Sequence, residues 1–150
     1  MLTLSRSEKK VLRAFQSDST PFNEPVRLLD KEPDPTLMSA LKKFPDYVGL
    51  AVRGANHDDA FVEDLKKTGV YHSKSFFSSS RGQLCHRFMD DNCRFYVQSK
   101  TGKPIYLKGK PSFDDEREVL FLAGTSFRVD KIEWNDSEQK WEIYMEEMDP

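Results

Sequence analysis

The apolar residues of this chain change their period near residue 70. Before it they return every three or four positions, and after it they alternate. A run patterned at 3.6 residues cannot bury its apolar side as a strand, nor one patterned at two as a helix. Helices first and antiparallel strands later make an α+β domain.

In the helical part, "SRSEKKVLRAF" opens with Ser5 and Glu8 in capping-box spacing. Leu4, Val11, Leu12 and Phe15 follow as one helical face. A Pro-containing loop is expected next. "DPTLMSALKKF" then sets Asp34 as N-cap and Pro35 in the first turn, with Leu37, Met38, Leu41 and Phe44 at helical spacing and Pro45 as the stop. "DYVGLAVRG" reads as a short strand ended by Gly54, and "HDDAFVEDLKKTG" as a third helix closed by Gly69. Beyond it, "CRFYVQS", "PIYLK", "EVLFLA", "SFRVDKIEW" and "KWEIYMEEM" read as strands. "NDSEQ" closes a terminal hairpin whose last strand carries Trp141, Ile143 and Met145 on one face.

The 150 residues suit one domain, 1–150, with a helical part over 1–45 and a β-rich core over 46–150. At 37% hydrophobic and 32% charged, the composition is that of a soluble globular protein. Twenty-three basic against 25 acidic side chains leave a net charge of -2, so no global field favours nucleic acid or an anionic membrane. The basic run "KTGKPIYLKGK", with Lys100, Lys103, Lys108 and Lys110, reads as a solvated loop or hairpin. No stretch approaches the ~20 apolar residues of a membrane span, and the N-terminus lacks a signal-peptide core. Cys85 and Cys93 fit reduced thiols in a cytosol-like compartment, with a single bridge as the alternative. His57, His72 and His86 show no metal-ligand spacing, and neither a G-x-G-x-x-G nor a P-loop is present.

One motif resists a purely structural reading. "SFDDEREVLF" sets Glu116 and Glu118 one residue apart, so in extended backbone both project to one face, about 7 Å apart. Such a pair repels unless water screens it or a cation relieves it. Taken alone it is an ordinary acidic strand edge.

It does not stand alone. "EREVLFLAGTSFRV" resembles the glutamate segment of the mono-ADP-ribosyltransferases of the Arg-Ser-Glu class, "VGLAVRG" their arginine strand at Arg53, and "FFSSSRG" their aromatic-Ser-Thr-Ser strand at Ser78, Ser79 and Ser80. The three occur in the family's order, with Ser79 where the family carries threonine. Gly102 and Ser112 also match. The resemblance spans residues ~45 to 135 and implies an ADP-ribosyltransferase-like fold: N-terminal helices, then two roughly perpendicular antiparallel sheets around an NAD-binding cleft.

The resemblance also implies the chemistry. Such enzymes break the bond between nicotinamide and ribose in NAD+, their co-substrate, and need no metal. Positive charge builds on the sugar, and a preorganised carboxylate stabilises it; that role falls to Glu118. Arg53 would bond the pyrophosphate through its planar guanidinium, beside Gly54. Ser78 would hold Glu118 and the nicotinamide ribose in register, with Ser80 as a structural hydrogen-bond partner in the same site. Glu116 implies arginine as acceptor, since a guanidinium must be oriented and relieved of a proton as it attacks. Phe113, in the target-recognition loop, either stacks on that guanidinium or pins the loop. Phe88 corresponds to the aromatic that packs on nicotinamide; the arginine expected three residues later is Asp91, with Arg94 as the alternative cation.

The reading is therefore an NAD+-dependent enzyme that moves ADP-ribose to arginine of a target protein, of the bacterial toxin or effector kind. It would act in the cytosol of a target cell after delivery, and an immunity protein is a further partner by analogy. Nucleic acid is not an expected partner. Transfer to water, as an NAD+ glycohydrolase, or to nucleic acid, and a non-catalytic interaction module, are the alternatives.

Overall fold

The computed structural model describes residues 3–81, 91–105 and 118–149. The first helix, α1 (Arg6–Ser17), begins in the expected capping box: Glu8 N donates to Ser5 Oγ at 3.1 Å and Ser5 N to Glu8 Oε1 at 2.7 Å. Glu8 does more than cap. Its buried carboxylate also accepts from Lys43 Nζ at 2.7 Å and Ser39 Oγ at 3.0 Å, tying α1 to the third helix. The Lys43 ammonium, then the Ser5 amide, hold its pKa down at about 2.

The stretch expected as a loop contains a helix, α2 (Thr20–Leu28). Asp18 Oδ1 accepts from Thr20 N at 3.0 Å, Pro21 sits in the first turn, and Pro25 lies inside. Two prolines within five residues read as breakers, and an interior proline costs roughly 3 kcal/mol. Packing outweighs that here. Phe22 meets Phe15 edge-on at 5.6 Å, Val26 is buried, and Asn23 Oδ1 accepts from Phe76 N at 3.0 Å. The next helix, α3 (Pro35–Lys42), starts on Asp34, whose Oδ1 accepts from Leu37 N at 2.9 Å.

Strand β1 (Tyr47–Ala55) runs one residue past Gly54, and α4 (Asp59–Thr68) starts on Asp58 and stops at Gly69, which takes the left-handed conformation at φ 68°. This makes the expected third helix the fourth. The strands that follow are β2 (Val70–His72), β3 (Phe77–Ser80), β4 (Cys93–Pro104), β5 (Glu118–Phe121), β6 (Ser126–Asn135) and β7 (Lys140–Glu147). β6 and β7 form the expected terminal hairpin, closing at the pair Asn135–Lys140. The "PIYLK" strand does not stand apart from "CRFYVQS": Pro104 ends β4, and 106–108 lie outside the described residues.

Hydrogen bonding links the strands in the order β1-β3-β5-β4-β7-β6-β2, and β1 also pairs with β4. β4 belongs to both halves: its first part lies between β1 and β7, and its end, at Lys103 and Pro104, pairs with β5. The sheets are antiparallel except at β4–β7, which is parallel. Between those parts the backbone N–H groups of Lys100 and Thr101 donate to Glu147 Oε1 at 2.8 and 2.7 Å, so a carboxylate serves them where no strand does. Gly102 follows, where an added Cβ would lie 2.6 Å from Ser99 Oγ and 2.7 Å from Val119 Cγ1; no larger residue fits. Lys108 and Lys110 of the basic run lie outside the described residues, and its described part is not simply solvated. Lys103 is buried, donating to Asp46 Oδ1 at 2.6 Å and the Phe44 carbonyl at 3.1 Å, while Lys100 pairs with Glu146 and Asp149.

Two apolar cores lie on opposite sides of β3 and β5. One gathers Phe77, Phe95, Val119, Phe121, Phe127 and Ile143 with Val62 and Leu65 of α4. The other gathers Leu12 and Phe15 of α1, Leu37 and Leu41 of α3, Phe76 and Leu120. Because strand side chains alternate, Phe76 and Phe77 enter different cores, as do Leu120 and Val119.

Candidate functional site

The same alternation aims the polar residues of β3 and β5. Ser80 pairs with Glu118 and Ser78 with Leu120, which sets Ser78, Ser80 and Glu118 on the face turned toward α1. Ser79 points the other way, buried, its Oγ donating to the Val119 carbonyl at 2.7 Å. Ser78 Oγ donates to Glu118 Oε2 at 2.6 Å. From α1, Gln16 Nε2 reaches Glu118 Oε1 at 3.2 Å. Both carboxylate oxygens thus carry a donor, and the group remains partly exposed.

Arg53 arrives from β1. β1 and β3 share one pair, Val52–Ser80; continuing that register would set Gly54 against Ser78, but the ladder stops there. The Ser78 carbonyl accepts instead from Arg53 Nη1 at 2.9 Å. The guanidinium lies 4.9 Å from the centre of the Phe77 ring, a cation–π contact. Among the described residues no carboxylate pairs with it. Burial pulls its pKa below the usual arginine value, opposed by Tyr71, and the charge of Arg27 at the end of α2 adds to the decrease. A partly buried cation without a counter-ion is a ready partner for an anion.

Arg53, Ser78 and Glu118 therefore converge, with Gly54 and Ser80 beside them. Glu116, Phe88 and Phe113 lie outside the described residues. Arg94 does not join the group. It stands on the face of β4 opposite to Phe95, the residue that pairs with Arg53, and its guanidinium meets Glu138 at 3.3 Å and Glu142 at 3.5 Å. An arginine already neutralised by two carboxylates is no substitute for one in the site. Two residues near the site escape sequence reasoning. Gln16 falls on the inward stripe of α1, four residues after Leu12, and could have been noticed as a polar break in it. Arg27 gives no such signal, because α2 itself is hidden by its prolines.

His57 stacks on Phe61 with ring centres 3.7 Å apart; burial, then the charge of Arg53, lower its pKa. Cys93 is a free, buried thiol whose pKa burial raises. Among the described residues no three metal-ligating side chains gather, and no helix is long and apolar enough to cross a membrane.

No protein-family model matches the chain. A Mycobacterium avium (strain 104) protein carrying the provisional name NAD(+)--arginine ADP-ribosyltransferase Mav is 32% identical over 95 residues, which is 62% of this chain and 11% of that protein. The chain thus spans about a tenth of that relative's length. Among solved structures, the Vis toxin, an ADP-ribosyltransferase from Vibrio splendidus, superposes with a TM-score of 0.75 at 22% identity, over 97% of this chain and 75% of that one. C3stau2 from S. aureus, solved with NAD, gives 0.76 at 17% identity, over 99% and 90%. The type III effector XopAI from Xanthomonas axonopodis pv. citri gives 0.73 at 23% identity, over 95% and 63%. The architecture that the three motifs imply is the one that the described backbone adopts, and the chain has the ADP-ribosyltransferase fold.

Proposed function

We propose that the chain transfers ADP-ribose from NAD+ to an arginine side chain of a target protein and releases nicotinamide. One observation carries this: Ser78 joins a carboxylate held on both oxygens to a partly buried arginine that has no acidic partner among the described residues. The first suits a sugar that gains positive charge, the second a pyrophosphate. Likeness to a named NAD(+)--arginine ADP-ribosyltransferase, and to toxin and effector structures, supports the same reading and action inside a target cell after delivery.

In this mechanism Arg53, with Arg27 adding positive charge, binds the pyrophosphate. Ser78 and Glu118 orient the nicotinamide ribose. The bond between the ribose C1′ and the nicotinamide nitrogen breaks, its electron pair leaving with nicotinamide, and Glu118 stabilises the charge left on the sugar. A nitrogen of the acceptor guanidinium then bonds to C1′ and gives up one proton, which Glu116 takes.

The test is mass spectrometry of proteins and of an arginine peptide incubated with the chain and NAD+. Modified arginine and free nicotinamide are expected from the native chain and neither from Glu118→Gln. Nicotinamide release undiminished by Glu118→Gln would refute the assignment, and modification on another side chain would refute the acceptor.

A further inference from the structure

Sequence separation makes the contact between Gln16 and Glu118 conspicuous: 102 residues apart, they meet at 3.2 Å because α1 packs across the face of β3 and β5 that carries Ser78 and Glu118. The direction of the amide is not free. An ionised carboxylate only accepts, so turning the amide over would set two acceptor oxygens against each other. With Nε2 on Glu118, the other amide atom, Gln16 Oε1, is buried and finds no hydrogen-bond partner among the described residues. For folding alone that is a poor choice. A buried acceptor left unpaired destabilises, and its inward neighbours Leu12 and Phe15 are apolar. Departures of this kind gather where a side chain serves a site.

We infer that Gln16 is a positioning residue of the reaction, an inference that rests on the function proposed above. Ser78 alone would leave the Glu118 carboxylate free to swing about its last torsion, which is broad for an sp³–sp² bond. A second donor on the other oxygen fixes the plane of the group, so the same lone pairs face the sugar in each turnover. The helical N-terminal part thereby takes part in the chemistry from a distance, and does more than cover the second core.

Gln16→Met keeps the length and removes the hydrogen bond. Steady-state nicotinamide release should show kcat lower by about tenfold, the scale of one lost hydrogen bond to a charged group, with KM within about twofold. Thermal unfolding should show Tm unchanged or higher, because the orphaned oxygen is gone. The Gln16 side-chain amide signals in a ¹⁵N spectrum, identified by their loss in Gln16→Met, should move in Glu118→Ala. A lower Tm with native kcat would make Gln16 a packing residue and overturn the inference. Amide signals indifferent to Glu118→Ala would overturn it too, whether or not the chain is active. A native chain that turns over no NAD+ fails the proposed reaction instead, and the amide signals with Tm then decide by themselves whether Glu118 holds Gln16.

Discussion

Ser78 and Ser79 are chemically identical neighbours, and the structure gives them opposite fates. Alanine at 78 removes the 2.6 Å hydrogen bond to Glu118 Oε2. The contact to Arg53 survives, because Arg53 bonds the backbone carbonyl at 2.9 Å. A hydrogen bond to a charged group contributes about 1.5–3 kcal/mol, and each ~1.4 kcal/mol is a factor of ten in rate. Ser78→Ala should therefore lower kcat for nicotinamide release by about 10- to 150-fold, with KM changed little. Alanine at 79 leaves the site alone but deprives the Val119 carbonyl of its 2.7 Å donor inside the first core. That loss is worth about 1 kcal/mol, or a Tm lower by about 2–4 °C in a domain of this size, at native kcat. Steady-state assays and calorimetry on both variants suffice. Should Ser79→Ala depress kcat while Ser78→Ala depresses only Tm, the facing of β3 is wrong; a raised KM with native kcat in Ser78→Ala would make the contact one of binding alone.

Three further outcomes follow from named groups. Arg53→Lys keeps the charge but loses the planar fork, so KM for NAD+ should rise about tenfold; an unchanged KM would put the pyrophosphate elsewhere. Glu116→Gln should abolish modification of an arginine peptide while retaining NAD+ hydrolysis, since Glu116 is assigned to the acceptor, and equal loss of both would undo the division of labour between the two glutamates. Glu8 has its pKa lowered from 4.5 to about 2 in the folded chain. Its stabilising effect is therefore complete above pH 4.5 and fades as pH falls toward 2. The gap in urea midpoint between the native chain and Glu8→Gln should narrow from pH 5 to pH 3, and a constant gap would count against the Lys43 and Ser39 contacts.

Where local chemistry agrees with the fold, the sequence is legible. Ser5 with Glu8, Asp34 with Pro35, and Gly69 each mark a helix end by a bond or a backbone conformation made within a few residues, and the alternation of β6 and β7 is long enough to read. α2 is hidden because its prolines argue against a helix that is held by Phe15 of the preceding helix and by Phe76, far away in sequence. β3 is too short and too serine-rich to announce itself by pattern, and emerges only through likeness of motif. The site divides in the same way. Glu118, Ser78 and Arg53 carry their own signatures, whereas Gln16 and Arg27 enter through the packing of helices that no local rule positions. Arg94 shows the converse: a cation at a plausible spacing is already held by Glu138 and Glu142, acids far from it in sequence.

Three identical residues in a row cannot tell one alignment of a strand from the next. Sliding "SSS" along its neighbour by a single step exchanges serine for serine, so the hydroxyls themselves supply almost no energy to choose among settings. The choice falls to the adjoining aromatics, Phe76 and Phe77, each of which fits a different hydrophobic compartment and loses it on a slip. These rings therefore act as an alignment key for the site, Phe77 while it also lies against the Arg53 guanidinium, and a smaller residue at 77 would let the strand settle one notch away, intact but catalytically mute.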